Sequence, residues 1–250
     1  MKRNFIYKDD KSDKFWTIHL EEKTLTVIFG KINTAGRTNI KEFPTADEAQ
    51  KESEKLIKEK TRKGYLETFD IEFNTSSIRV PEFWNLIERA KHKAFRDVEE
   101  QAEILIEILS ERPLEDIIEF GRIFEYFHAL SYKSDLWAAA YIIQGGCSDD
   151  MFDYFRAWLI AQGKDVFENA MENPETLTRV ISVEEAEEID AECILYVADE
   201  AYQRKTGNNM EEFLDLQGFV KFPELEFDWN EEDDSLKKKF PRLYKKFLLK

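Results

Sequence analysis

The sequence predicts an α+β protein, with a small antiparallel β-sheet and one helix followed by an all-helical domain. Apolar and polar residues alternate in short runs before residue 68 and recur at helical spacing from Pro81 onward, which are the periods of strands and helices. Charge divides the chain at the same place, because residues 1–75 carry 15 basic and 14 acidic side chains and the remainder carries 21 and 38. We therefore predict a sheet domain at 1–68, a linker at 69–80, a helical domain at 81–210 and a C-terminal extension at 211–250 that docks on the helical domain.

The first domain is predicted to hold three or four strands and a helix. Gly36 lies in the second turn and is free to take positive φ. Thr45 with Glu48 three residues later forms a capping box that opens the helix. The predicted elements are strands Phe15–Leu20, Thr24–Ile32 and Thr38–Phe43 and a helix from Thr45 to Gly64.

The order of these parts is characteristic. The second strand ends in an aromatic residue, a glycine and a basic residue, a Thr-Ala-Gly turn follows it, and Lys63-Gly64-Tyr65 follows the helix. From about Lys14 to Glu67 the chain closely resembles a WGR domain, named for its Trp-Gly-Arg motif. The resemblance implies a module that contacts DNA ends or neighbouring domains, as in poly(ADP-ribose) polymerases, and bacterial proteins also carry such domains.

The motif that names the WGR domain reads Phe29-Gly30-Lys31 in this chain. Phe29 can stack but cannot donate a hydrogen bond, and Lys31 is a point charge where arginine would offer a planar fork. Together with Arg37 and Lys41, these three residues are the predicted contact with nucleic acid or a neighbouring domain, through phosphate contacts that do not read sequence. The alternative is that Phe29 packs in the sheet and the basic side chains are ordinary solvated charges.

About six helices are predicted after Pro81. The segment Asp135–Ile143 is apolar nearly all round, which indicates a central buried helix. Ser148 is a natural N-cap for the helix that ends at Gly163, and two further helices are predicted at Lys164–Glu172 and Val183–Thr206.

Part of this region resembles the signature block of a bacterial family, domain of unknown function 4240. The resemblance rests on Leu136–Ile143, Gly145–Asp150 and Phe152–Leu159 and extends from about Pro81 to Gly207. It implies a fold and no activity.

The glycine turn in this block is the second candidate site, for a small ligand or a partner side chain. Its carboxylates suit a cation or a basic side chain. The alternative is structural, since acidic residues favour a helix N-terminus and Asp153 with Arg156 has the spacing of an internal ion pair. The candidate residues are Trp137, Gly145, Gly146, Ser148, Asp149, Asp150, Asp153 and Arg156.

No catalytic, cofactor or metal motif stands out. His128 with Ser131 and Asp135, or with Cys147, contains the residue types of a hydrolase, but types are not geometry. The histidines and cysteines lack the close spacing of a zinc site. The acidic run 231–235 lacks the alternating ligands and central glycine of a calcium loop. We predict no catalytic residue, no cofactor and no metal.

The function predicted from the sequence is non-catalytic binding or regulation in a bacterial cytoplasm. DNA or RNA is a possible partner of the first domain, and a basic protein is a possible partner of the acidic helical domain. One alternative is an immunity or antitoxin-type inhibitor of a basic toxin, since opposite charge speeds association; another is an uncharacterised hydrolase. The two distant cysteines favour a reducing compartment, and no apolar stretch reaches the length of a membrane span.

Overall fold

The protein is described from a computed structural model that covers residues 1–69, 71, 76–95, 97–186, 189–230 and 234–249. Residues 70 and 72–75 of the predicted linker, and residues 231–233 of the acidic run considered for calcium, lie outside the described residues. An antiparallel sheet with one helix leads and a helical region follows, so the predicted α+β class is confirmed. No helix in the described ranges is both long and apolar enough to cross a membrane.

The sheet has five strands in the order β4-β3-β2-β1-β5, and every neighbouring pair is antiparallel. The three or four predicted strands were too few, because β1 was missed. The strands are β1 (Lys2–Lys8), β2 (Asp13–Glu21), β3 (Thr24–Lys31), β4 (Arg37–Glu42) and β5 (Leu66–Thr68).

Helix α1 (Ala46–Arg62) covers one face of the sheet, which we call the helix face. Thr45 caps α1 by accepting a hydrogen bond from the Glu48 amide at 3.2 Å, which confirms the predicted N-terminus. Trp16 and Ile18 of β2 lie buried beneath the helix with Leu25 of β3. The helix stops at Gly64, whose φ of +84° suits the residue that follows a helix.

Two glycines fit the β3–β4 turn to the ring of Phe15. Gly36 has φ of +70°, and a Cβ atom there would lie 2.7 Å from Cζ of Phe15. A Cβ atom on Gly30 would lie 2.8 Å from Cα of Gly36. The glycine of the Phe29-Gly30-Lys31 motif therefore has a structural role in seating the turn against the sheet.

The helical region forms one continuous core. The predicted central buried helix is confirmed, since Leu136, Ala139 and Ile143 are buried within α5. The described helices are α2 (Val80–Lys93), α3 (Val98–Ser110), α4 (Leu114–Leu130), α5 (Ser134–Gln144), α6 (Asp149–Ala161), α7 (Lys164–Glu172), a 3₁₀ helix (Pro174–Arg179), α8 (Glu192–Leu195), α9 (Val197–Thr206), α10 (Met210–Gln217), α11 (Ser235–Lys239) and α12 (Pro241–Phe247).

The prediction of a single helix over Val183–Thr206 is wrong. The backbone carbonyl of Ile189 accepts a hydrogen bond from the side chain of Gln144 at 3.0 Å, so a tertiary contact uses a group that a helix would use internally. The carboxylate of Asp190 then accepts from the amide of Glu192 at 3.0 Å and starts a new helix there. The helical residues 192–206 are in turn divided into α8 and α9 at Tyr196.

The sheet packs on the helical region through the face opposite α1. Ile6 and Leu66 lie against the helical core. Lys8 forms an ion pair with Glu119 of α4 at 2.6 Å, and both side chains are less than 10% exposed. Tyr126 of α4 donates a hydrogen bond to the carbonyl of Gly64 at 2.8 Å. The two parts therefore meet in a buried, hydrogen-bonded contact.

The chain after α10 crosses back over both parts. Residues 218–230, which we call the strap, pair with the edge strand β5: the Lys221 amide donates to the Glu67 carbonyl at 2.8 Å, and Val220 bridges Thr68. Beyond the strap, Leu243 of α12 is buried, and the ammonium of Lys246 donates to two carbonyls near the 3₁₀ helix.

Candidate functional site

One end of the helix face carries aromatic rings and lysines in direct contact. Tyr7, Lys14 and Lys31 lie side by side on β1, β2 and β3, because directly paired residues point to the same face. Tyr7 stacks on Tyr65 with 5.1 Å between ring centroids. The ammonium of Lys60, near the end of α1, lies 4.5 Å from the ring centroid of Tyr65, and that of Lys14 lies 5.0 Å from that of Tyr7. We call these five residues the basic aromatic surface.

The lysines of this surface repel one another. Partial burial, followed by the positive charges of Lys63 and Lys14, lowers the pKa of Lys60. Lys14 lies 3.8 Å from the carboxylate of Asp9, a distant ion pair. In the part of the chain that the structure describes, no carboxylate lies within 4.0 Å of Lys31, Lys60 or Lys63. An anion placed here would relieve repulsion between lysines, and the rings offer surfaces on which a base can stack.

The predicted contact residues divide into two groups. Phe29 pairs with Arg37 across β3 and β4 on the helix face, one row from Lys31, so these three lie together beside the basic aromatic surface. Phe29 is half-buried against the sheet core, as the structural alternative expects. The Cβ position of Gly30 lies on the opposite face, where the β3–β4 turn fills the space beside it. Lys41 lies four residues from Arg37, about 13 Å along the strand, with its ammonium over Phe43 instead.

Sequence reasoning missed Tyr7, Lys14, Lys60 and Tyr65. Tyr7 and Lys14 lay outside the predicted strands, and Lys60 lay within the predicted helix, whose packing on the sheet the sequence does not show. A five-stranded register would have aligned Tyr7 with Lys14 and Lys31, which is the signal that could have found them.

The glycine turn in the helical region caps two helices. Gly145 ends α5 with φ of +72°, and the hydroxyl of Ser148 accepts from the Met151 amide at 3.3 Å to cap α6. Asp149 and Asp150 are exposed in the first turn of α6, where a carboxylate favours the helix dipole. Gly146 has φ of +148° and open space around it. These contacts match the structural alternative.

Trp137 and Arg156 belong to a buried aromatic cluster behind that turn. The Trp137 indole donates to the Cys147 carbonyl at 3.0 Å and stacks on Phe152 with 4.6 Å between centroids. Arg156 is fully buried and donates to the carbonyl of His128 at 2.6 Å and to the carboxylate of Asp153. Burial lowers the pKa of Arg156 to about 10. The structure thus joins Trp137, Asp153 and Arg156 through the core, whereas the acidic turn lies at the surface.

The strap closes this cluster from outside. The ring of Phe222 lies 5.2 Å from the Arg156 guanidinium and 5.2 Å from the centroid of Tyr132. Phe227 lies 5.5 Å from Trp137, and the Trp229 indole donates to the Ser134 carbonyl at 3.0 Å. The aromatic side chains of the chain itself therefore occupy the space around Arg156.

The residues considered for hydrolysis do not activate one another. Burial, followed by the charge of Arg156, holds the pKa of His128 well below its ordinary value, and His128 Nε2 lies 3.1 Å from the carbonyl of Asp153. Burial raises the pKa of the Cys147 thiol to about 12. The hydroxyl of Ser131 donates to the His128 carbonyl at 2.9 Å. A protonated thiol and a histidine bonded to backbone have no base–nucleophile contact.

Metal-binding residue types are scattered. Across the described ranges, no group of three or more histidine, cysteine, aspartate or glutamate side chains is placed to hold a metal ion.

Two models of known protein families match this chain. Residues 1–72 match the model of the WGR domain, a module of the nucleic-acid-binding type, and a helical region follows them. Residues 79–204, just over half of the chain, match the family "Protein of unknown function (DUF4240)", and the chain belongs to that family. Both resemblances predicted from the sequence are confirmed.

Individual relatives match only in part. The uncharacterized protein YfeS of Escherichia coli K12 is 46% identical over 74 residues, which are 30% of this chain and 30% of YfeS. The E. coli K12 protein YehF is 45% identical over 65 residues, or 26% of this chain and 24% of YehF. The match therefore spans less than a third of either relative. A crystal structure of a Bacteroides fragilis protein is 34% identical over 39% of this chain and 29% of its own, with a TM-score of 0.28.

Proposed function

We propose that this chain is a non-catalytic binding or regulatory protein whose WGR domain contacts the phosphates of nucleic acid through the basic aromatic surface. The observation that carries the proposal is the contact of Lys14 and Lys60 with the stacked rings of Tyr7 and Tyr65, with Lys31 paired beside Lys14. Lysines that repel one another gain most from an anion, and binding releases the cations condensed on nucleic acid. The exposed side chain of Arg37 adjoins this surface.

The helical region is the proposed protein-binding part. Its charge supports this role, because residues 76–250 carry 38 acidic and 21 basic side chains. A surface of that sign attracts basic partners and repels nucleic acid, so the two domains would select different partners.

The test is fluorescence-polarisation binding of the whole protein to a labelled DNA duplex across a salt series. Each lysine that contacts a phosphate contributes about one unit to the slope of log affinity against log salt. Lys14→Gln, Lys31→Gln and Lys60→Gln are each expected to weaken binding and reduce the slope by about one. The matched control is Lys41→Gln on β4, which lies apart from the surface and is expected to bind as the wild type does.

Two results would contradict the proposal. One is the absence of binding at low salt, which would leave the WGR domain as a docking module for protein. The other is equal loss in Lys41→Gln and Lys31→Gln, which would indicate diffuse attraction rather than a defined surface.

A further inference from the structure

A cavity of about 250 Å³ lies where the sheet, α4 and the start of the strap meet. Its apolar wall includes Ile6 of β1, Ile32 after β3, and Phe219 and Val220 of the strap. Ligand sites are often found where domains meet, and a volume below the roughly 300–1,000 Å³ of drug-sized pockets suits a small molecule. Two members of the basic aromatic surface, Tyr7 and Lys14, also line the cavity, whereas Trp137, Arg156 and the rings around them do not.

Acidic side chains outnumber basic side chains around the cavity. Its acidic lining residues are Asp13, Glu119, Glu125 and Asp215, and its basic lining residues are Lys8, Lys14 and Arg122.

Each of these cations already has a partner. Lys8 pairs with Glu119 at 2.6 Å, Lys14 lies 3.8 Å from Asp9, and Arg122 donates to the carbonyls of Leu216 and Gln217.

Glu125 and Asp215 stand apart from these pairs. Within the described ranges, no lysine, arginine or histidine nitrogen lies within 4.0 Å of either carboxylate. Glu125 projects from α4 and is half-buried, whereas Asp215 is exposed near the end of α10. Burial raises the pKa of Glu125, with the more distant charge of Arg156 opposing the rise. A carboxylate in this position is stabilised by a cation that enters the cavity.

We propose that the cavity binds a small organic cation, an ammonium group on a short apolar body. The ammonium pairs with Glu125, with Asp215 on the approach to it, and the apolar body lies against Ile6, Phe219 and Val220. Phe219 is 54% exposed, so an aromatic face is open to an arriving cation, and such faces attract ammonium groups. Because β1, α4 and the strap all contribute walls, an occupied cavity joins the WGR domain to the helical region.

The probe for the experiment is 2-phenylethylamine, with 2-phenylethanol as the uncharged analogue and 3-phenylpropanoate as the anionic one. Isothermal titration calorimetry of the full chain at pH 7 is expected to give saturable binding for the amine and much weaker binding for the other two. Glu125→Gln keeps the shape of the side chain and is expected to weaken amine binding roughly tenfold or more, as loss of a charged hydrogen bond does. Asp215→Asn is expected to weaken it by a smaller factor of about three.

The matched control is Glu115→Gln, an exposed glutamate on the same helix outside the cavity, which is expected to bind the amine as the wild type does. Absence of saturable amine binding would overturn the proposal. Equal affinity for amine and alcohol would overturn it as well, as would equal losses in Glu115→Gln and Glu125→Gln. If circular dichroism finds Glu125→Gln unfolded, unchanged affinity in the exposed Asp215→Asn variant overturns the proposal by itself.

Discussion

Replacing Lys8 by methionine is expected to weaken the junction between the two domains. The Lys8 ammonium lies 2.6 Å from Glu119 and 4.0 Å from Asp13, and the three side chains are between 2% and 9% exposed. Methionine keeps an unbranched apolar stem and removes the charge, so the substitution tests the ion pair more than the packing. It leaves two buried carboxylates without their ammonium.

Removal of one partner from a buried ion pair costs about 3–5 kcal/mol, because the remaining charge is uncompensated. We therefore expect Lys8→Met to lower the free energy of unfolding at pH 7 by about 3–4 kcal/mol. Glu119→Gln leaves Lys8 near Asp13 and is expected to cost only about 1–2 kcal/mol. In Lys8→Met combined with Glu119→Gln, one of the stranded carboxylates is gone, and the loss is expected to fall short of the sum of the two single losses by about 2 kcal/mol.

The assay is urea unfolding followed by tryptophan fluorescence, since Trp16 lies in the sheet and Trp84 in the helical core. Lys11→Met is the control, because Lys11 is exposed in the same β1–β2 hairpin and surface changes usually stay within about 0.5 kcal/mol. A cost below about 1 kcal/mol for Lys8→Met, or strict additivity in the double variant, would refute the reasoning.

Three further predictions concern buried groups and the glycine turn. The lowered pKa of His128 means that the unfolded chain binds a proton that the folded chain does not, so stability is lost as the pH falls below about 6.5. In urea unfolding between about pH 7 and 5, His128→Gln should flatten the dependence of the free energy of unfolding on pH. An equal effect of His92→Gln, at an exposed histidine, would contradict this expectation. Arg156→Ala should cost about 3–5 kcal/mol by leaving a cavity, and Arg156→Met less than about 2, because its carboxylate partner is half exposed; equal costs would be inconsistent with this. Gly36→Ala should lower stability by about 1–3 kcal/mol in thermal unfolding, through its positive φ and the clash with Phe15, and an unchanged midpoint would disprove it.

Hydrophobic periodicity and helix-capping residues predicted most of the secondary-structure elements. Ser148 and Thr45 are N-caps where predicted, and α7 spans the predicted Lys164–Glu172. These features depend on local residues, so a local pattern is enough to find them. The domain boundaries remain a prediction.

β1 was missed because its buried face contains a polar pair. Asn4 is buried and accepts a hydrogen bond from Thr17 of β2 at 2.9 Å, so a position facing inward reads as a surface residue. Lys8 reads in the same way, although Glu119 pairs with it inside the junction. A partner 111 residues away in sequence cannot be read from a local pattern.

The candidate sites were predicted less well than the fold for the same reason. Phe29, Lys31 and Arg37 were found through a contiguous motif and turn, but Lys60 and Tyr65 join them only once α1 lies on the sheet. The interdomain cavity had no sequence signal, because its walls come from residues 6 to 220 of the chain. Sites built by tertiary packing need the register of the sheet before they can be recognised.

The proposed contact with nucleic acid depends on which face of the sheet packs on the acidic helical region. Successive residues of a strand point to opposite faces, so Ile6 and Lys8 face the helical region while Tyr7 between them faces the other way, beside Lys14 and Lys31. At the junction Lys8 pairs with Glu119, and at the sheet edge Glu67 pairs with Lys221 of the strap. These pairs use none of the lysines of the basic aromatic surface. At physiological salt, repulsion by the acidic helical region decays over a Debye length of about 8 Å. The alternation of β1 thus sets Tyr7 beside Lys14 and Lys31 on the helix face, and a shift of β1 by one residue would exchange the two faces.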